Sequence, residues 1–461
     1  MQPLRVDVKW RISLEGKTMH RNGPTVIAFF GHFNSTNFGN ECSLQAALYN
    51  IRRIYPNSRF ICITDDHENA AKADDIEAIP VDRPFFNTWI AKTSLGRFAC
   101  KAILGPAAEL RRWISGFTAL RRAQMLIIPG TGLLTDVFGL KGGGPYSLFR
   151  WAVIAKLCGC RLLFLSVGVG PLYSRRGRFF VKSALRLADF RSYREISSRQ
   201  YLASIGFDAS RDPVYPDLAF SLPIPTSPPS KSKTQEIGLG VMTYAGNYSV
   251  PNPSASTDQD YWNKLTQFSR WLISKGYKVR PLIGDTVDAP ARDHFVQLLI
   301  EDAKQNEKSA IIDEPVTSFE SLSAALTTSD FVVATRFHNV LLALLGGKPV
   351  IAISFHHKCA SLMSAMGMAA YCLDIHGFDS DTLAQTFELL TADAKDIKAQ
   401  IVQKVHEFRG ELDDQYKRAL GIPADTTAQY AGNNLGRFPD EGNVPIALPV
   451  SDYAPRARRN S

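Results

Sequence analysis

The chain has 461 residues, a formal net charge of +9, a hydrophobic fraction of 45% and a charged fraction of 21%. That length accommodates two domains with full cores, and the composition excludes a disordered, fibrous or collagen-like chain. The basic excess favours acidic partners such as nucleic acid, anionic lipid or phosphorylated and carboxylated ligands, without choosing among them.

Residues 1–23 show no period and read as a loose arm; Arg5, Asp7, Lys9 and Arg11 leave no apolar stretch for a signal peptide. Residues 25–30 (TVIAFF) read as a buried strand. A loop rich in Gly and Asn follows at 31–41, where Asn37, Gly39 and Asn40 offer left-handed backbone and short hydrogen-bonding groups. Next come a helix at 42–54, with Leu44, Ala47, Leu48 and Ile51 on one face, and a strand at 60–64. The order strand, small-residue loop, helix, strand opens a nucleotide-type fold, but no G-x-G-x-x-G is present, which argues against a dinucleotide.

Residues 85–122 are helix-rich. The strand at 125–128 ends in Pro129-Gly130-Thr131-Gly132, either a plain loop or a place where backbone approaches a ligand. The segment 151–170 is interrupted by Lys156 and Arg161 and reads as a helix followed by a strand, not a membrane span. That strand, 162–167, ends in Gly168-Val169-Gly170-Pro171. Arg175, Arg176, Arg178, Lys182 and Arg186 then open a helix, as a solvated face or as a contact with anionic lipid or a lipid-linked phosphate. A short strand at 190–193 runs into Arg194-Glu195 and a helix at 197–205, and Asp217 sits in a turn that closes the half.

The Pro/Ser/Lys-rich segment 221–236 reads as a linker, after which the alternation restarts. Strands are expected at 237–242, 278–283 and 310–312, and helices at 261–274, 290–305 and 319–326. The strand at 331–334 runs into Thr335-Arg336-Phe337-His338, then a helix at 339–345 capped by Gly346-Gly347, then a strand at 350–354 that ends at Phe355-His356-His357-Lys358. A helix at 361–366, a strand at 371–373 and two amphipathic helices at 381–390 and 396–420 finish the fold. The divisions are an arm (1–23), a first α/β domain (24–220), a linker (221–236), a second α/β domain (237–422) and a disordered tail (423–461). Seven scattered cysteines without zinc spacing read as free thiols in a reducing compartment, so the expected location is cytoplasmic, with peripheral membrane contact as an option.

In parallel α/β sheets, ligands bind beyond the carboxyl ends of the strands. Arg336 and His338 follow one such end, Lys358 follows a second, and Arg194 follows a third in the first half. Each alone could be a structural neighbour; clustered, they describe a cationic crevice for a small, highly anionic ligand. No D-x-D pair or thiolate set calls for a metal, and the basic residues are not interleaved with aromatics as nucleic-acid binding would ask.

The motif order resembles the polysaccharide pyruvyl transferase family. The matching pieces are the G-x-x-x-x-x-N-x-G-N-E segment at 31–41, Pro129-Gly130-Thr131-Gly132 and Ser166-Val167-Gly168-Val169-Gly170-Pro171. They continue with Tyr193-Arg194-Glu195, Tyr215-Pro216-Asp217, Thr335-Arg336-Phe337-His338, and Gly347-Lys348-Pro349-Val350-Ile351 up to Lys358. Asn40 and Glu195 stand where the family often has Asp, and Thr131 interrupts a run of glycines. The resemblance implies two Rossmann-like domains facing each other across a cleft, a GT-B-like fold. It also implies transfer of a pyruvyl group from phosphoenolpyruvate to a sugar as a ketal, with Arg336, His338 and Arg194 handling the donor and no cofactor besides it.

On that basis His338 is the expected acid or base, with a pKa near working pH, and Arg336 and Arg194 the clamp on the donor. Lys358 is a candidate for its phosphate, and Asn37, Gly39, Asn40, Gly130, Gly132, Gly168 and Asp217 are candidates for substrate binding. The acceptor would be a glycan or lipid-linked oligosaccharide. Two other readings fit the same cleft: a GT-B glycosyltransferase or nucleotide-sugar epimerase, and a non-catalytic binding module of a glycan assembly complex.

Overall fold

The computed structural model describes residues 24–33, 37–64, 76–82, 94–130, 132–137, 139–141, 143–223, 234–243, 255–301, 303–305 and 307–422. The expected arm, most of the linker, Thr131 and the tail lie outside them.

In the first half, β1 (Val26–Phe30), α1 (Phe38–Ile54), β2 (Arg59–Thr64), β3 (Ile76–Pro80), α2 (Ser94–Leu120) and β4 (Met125–Pro129) follow in order. They are succeeded by α3 (Pro145–Leu157), β5 (Arg161–Val167), α4 (Arg175–Leu187), β6 (Phe190–Tyr193) and α5 (Ile196–Ser204). The strands form one parallel sheet in the order β3-β2-β1-β4-β5-β6. The central strands β1, β4 and β5 are buried, largely apolar runs because helices cover both faces of the sheet.

The second half contains β7 (Glu236–Gly240), α6 (Ala255–Ser274), β8 (Lys278–Leu282), α7 (Ala289–Glu301), α8 (Phe319–Thr328) and β9 (Phe331–Ala334). It ends with α9 (Phe337–Leu345), β10 (Val350–Ser354), α10 (His357–Ala365), β11 (Cys372–Asp374), α11 (Ser380–Ala392) and α12 (Ala394–Leu420). Its parallel sheet has the order β11-β10-β9-β7-β8. Both strand orders reverse direction at one point, β1/β4 in the first sheet and β7/β9 in the second, and such points open a crevice at the strand ends.

Four local expectations change. α1 begins at Phe38, so Gly39, Asn40 and Glu41 form its first turn rather than a loop. α10 likewise begins at His357, well before 361. Residues 310–312 are not a sheet strand: Lys308–Ala310 is a 3-10 turn, and Ile311 makes one isolated bridge to Val279. β3 is an additional edge strand, with Glu77 exposed, whose alternation is too short to read.

The halves are not merely juxtaposed. One buried apolar cluster runs from Ile27 of β1 through α1 to β7, β9, α9 and Leu420 of α12. A second, on the other face of the first sheet, lies under α2, α3 and α4. The last turns of α12 return to the first half. Arg161 donates to the carbonyls of Ala419 and Leu420 at 2.7 and 2.9 Å, and Gln415 donates to Ser192 Oγ at 2.6 Å and Ser166 Oγ at 3.0 Å.

Candidate active site

Four helices begin at the crevice, with Asn37, Glu195, Arg336 and His356 as their N-caps. A helix N-terminus presents free N–H groups and partial positive charge, so this convergence favours anions before any side chain is counted. Asn37 Oδ1 closes the first turn of α1 by accepting from Gly39 N at 2.9 Å. Glu195 and Arg336 do not cap the N–H groups of α5 and α9 with their side chains, which leaves those helix ends open.

Side chains from both halves meet there. His338, in the first turn of α9, lies against the first turn of α1: a Cβ on Gly39 would sit 1.8 Å from its Cε1. Arg194 stacks on Phe337 with its guanidinium carbon 5.1 Å from the ring centre. A Cβ on Gly168 would sit 2.8 Å from Arg194 Nη2. Gly39 and Gly168 are therefore glycines because His338 and Arg194 occupy the space a side chain would need. Gly130 has a left-handed backbone, φ 42°, and its carbonyl lies 3.4 Å from Ser43 Oγ. Gly132 is exposed, with open space among the described residues where a Cβ would stand. Asn40 is held through its backbone, with its N–H donating to Asn37 O at 3.2 Å.

The two arginines are each tied to a buried carboxylate. Arg336 donates from Nε and Nη2 to Asp288, both at 2.7 Å, and Asp288 is fully buried. Arg194 Nη1 donates to Asp217 at 2.9 Å, while the other Asp217 oxygen accepts from Ala219 N at 3.0 Å. Asp217 thus fixes Arg194 and caps a 3-10 turn. Asp288 thus occupies the Nε and Nη2 side of the Arg336 guanidinium. Arg194 Nε is buried with no hydrogen-bond partner among the described residues.

His338 departs from the expectation of a near-neutral pKa. Burial pushes its pKa down to about 4; Asp217 opposes this, while Arg194, Lys358 and Arg336 add to it. The resting imidazole is neutral. Lys358 falls to about 8, through burial first and the charge of Arg194 second. Among the described residues neither His338 nor Lys358 Nζ has a hydrogen-bond or ion-pair partner. His356 is half-buried, accepts from Lys358 N through Nδ1 at 3.3 Å, and is also pushed down to about 4, chiefly by burial, whereas His357 is exposed.

Sequence reasoning missed Asp288, whose position in a 3-10 turn gives no local signal, and Gln415, more than two hundred residues from the serines it binds. It also missed Asn339, fully buried against Gly240 and Gly284 with neither amide atom hydrogen-bonded among the described residues. Its place in α9, one residue after His338, was the available hint.

Two Rossmann-type sheets with a cationic crevice at their switch points define a GT-B-type protein. Solved structures agree on that architecture. A UDP-GlcNAc 2-epimerase from Neisseria meningitidis aligns with TM-score 0.53 at 10% identity, over 87% of this chain and 100% of that one. A putative UDP-N-acetylglucosamine 2-epimerase from Listeria monocytogenes aligns with TM-score 0.52 at 10% identity, over 86% and 97%.

The family model of the polysaccharide pyruvyl transferases matches residues 37–357, and the chain belongs to that family. A curated relative, the amylovoran biosynthesis protein AmsJ of Erwinia amylovora, is 22% identical over 156 residues, 33% of this chain and 37% of that protein.

Proposed function

We propose that the protein transfers a pyruvyl group from phosphoenolpyruvate to a pair of hydroxyls on a glycan, forming a ketal in polysaccharide biosynthesis. The observation that carries this reading is the meeting of Arg194, Lys358, Arg336 and His338 at four helix N-termini, two of them without a side-chain cap. A carboxylate and a phosphate on a three-carbon frame match such a site in charge and size. Family membership supports the reaction type, and the name of the AmsJ relative supports the exopolysaccharide context.

The reaction protonates the enol methylene, adds one sugar hydroxyl at C2, expels phosphate and closes the ring with the second hydroxyl. The proton given to the methylene and those lost by the hydroxyls can pass through one group, and we assign that role to His338. In the resting site the imidazole is neutral because burial disfavours its charged form, with neighbouring cations adding to the effect. An arriving dianion offsets those cations and raises the imidazole pKa toward the working range, so donor binding itself arms the acid. Arg194 and Lys358 supply donors for the anion, and Arg336, held by Asp288, contributes fixed positive charge to the developing phosphate.

The test is phosphate release from phosphoenolpyruvate with a panel of galactosides, mannosides and glucosides. Thermal shift with phosphoenolpyruvate against uridine and guanosine diphosphates runs beside it. Stabilisation by the diphosphates alone, with no phosphate release on any acceptor, would replace this reading with a nucleotide-sugar enzyme.

A further inference from the structure

We infer that the outer face of α2, α3 and α4 is a docking surface for an anionic lipid bilayer. These helices lie side by side on the face of the first sheet opposite α1. α2 packs on α3 where Gly116 meets Trp151 and Ile154, and α3 packs on α4 where Phe149 meets Phe179 and Phe180. An ordinary outer helix turns charge to water. Here each helix also turns large apolar residues outward.

On α2, Leu110, Ile114 and Phe117 fall on one stripe and are 62%, 59% and 45% exposed. On α3, Phe149, Val153 and Leu157 follow at helical spacing, with Leu157 exposed. On α4, Phe179 is exposed, and just before that helix Tyr173 is 74% exposed. The end of α3 reaches the end of α2, with Cys158 Sγ 3.7 Å from the Phe117 carbonyl, so the stripes join. A contiguous apolar face of this kind marks an interaction site.

Charge identifies the occupant. The three helices carry eleven Lys and Arg against a single acidic residue, Glu109, which is already engaged by Arg112, Arg150 and Tyr146. Arg111, Arg175, Arg176, Arg178 and Arg186 are exposed. Arg175, Arg176 and Arg178 occupy the first turn of α4, where the helix dipole opposes positive charge. Ser174 and Asp136 fix that turn, so the arginines are displayed at a cost to the helix.

Apolar and aromatic side chains ringed by long cations that far outnumber acidic residues suit the headgroup boundary of an anionic membrane. No helix among the described residues is long and apolar enough to cross a membrane, so the contact is with the surface. The segment between Gly168, at Arg194, and the N-cap Ser174 joins this face to the site, which leaves the crevice at the membrane's edge rather than beneath it.

The experiment is flotation of the full chain with vesicles of phosphatidylglycerol mixed with phosphatidylcholine, and with phosphatidylcholine alone. The protein should float with the mixed vesicles, and added salt should release it. Arg175→Glu/Arg176→Glu should weaken binding at least about tenfold while the unfolding midpoint holds or rises, because glutamates suit a helix start. Leu110→Ser/Ile114→Ser should weaken it as well, with the circular dichroism spectrum unchanged. Protein that stays at the bottom with mixed vesicles, or floats undiminished by both variants, overturns the inference. So does light scattering that shows a dimer split by Leu110→Ser/Ile114→Ser, because the face would then cover a second copy of the chain.

Discussion

His338 and Lys358 put the site in tension with stability. The imidazole is held at about 4 in the folded chain against roughly 6.5 unfolded. The unfolded chain therefore binds the proton more tightly. The stability His338 contributes is complete above the unfolded value and lost as pH falls from about 6.5 toward 4, by up to about 1.4 kcal/mol per pH unit. His356 adds to the loss over the same window. Chemical denaturation between pH 8 and pH 4 should show this slope, and His338→Asn should flatten part of it.

Lys358 acts at the other end of the scale, with its folded value lowered to about 8. Keeping the ammonium in place at neutral pH costs the fold on the order of 1–3 kcal/mol. Lys358→Met should raise the unfolding midpoint and abolish turnover together, a trade expected of a functional residue. A stabilised variant with full phosphate release would remove Lys358 from the site. Donor binding should also take up protons, since an anion raises both pKa values. Calorimetric titration of phosphoenolpyruvate in buffers of different ionisation enthalpy should show uptake that shrinks in His338→Asn.

The carboxylates that hold the arginines make a different prediction. Arg336→Ala strands Asp288, which is fully buried, and should cost roughly 3–5 kcal/mol in stability as well as activity. Arg336→Ala/Asp288→Asn should recover much of the stability and none of the turnover. The unfolding midpoints of the two proteins separate structural loss from loss of donor binding.

At the scale of elements, strand ends were legible and the partners of their side chains were not. The alternation of apolar runs with small-residue loops was enough to place Arg194, Arg336 and Lys358 at carboxyl ends of parallel strands, because that periodicity is local. Where α1 starts was not legible. Asn37 is a good cap, but the glycine beside it reads as loop until His338, from the other half, is seen filling the space over Gly39.

The same holds for the end of β5. Ser166 has φ 47°, and the pairing of β5 with β6 slips between Phe164 and Val167. Gly168, packed on Arg194, follows directly after this bulge, and a non-glycine residue with Ser166's conformation needs outside support. Gln415 supplies it through Ser166 and Ser192. Gln415→Leu should leave the second half folded, loosen the bulge and lower turnover with little effect on acceptor affinity. Gly39→Ala should displace His338 and be at least as damaging to turnover, with stability nearly unchanged if the ring can swing away.

For the molecule as a whole, the question is whether two sheets make two folding units. The seam argues that they do not. Phe38 N donates to Gly284 O at 3.2 Å, and Asn37 bridges Asp285, so the start of α1 is stitched to the loop after β8. Tyr215 donates to Asp414 at 2.8 Å and Arg409 donates to the carbonyls of Phe220 and Leu222, which ties α12 to the end of the first half. The apolar cluster between the halves is continuous, so separating them would expose core rather than a polar interface. Calorimetry of the full chain should accordingly give one main transition, with the van't Hoff and calorimetric enthalpies in agreement. A chain cut short before Arg409 should lose that transition, because it removes the strap that covers Ser166 and Ser192 and caps the shared core. Two resolved transitions in the full chain, with the second half melting independently, would mean that the crevice closes by hinge motion. Its four helix ends would then be assembled only when a donor binds.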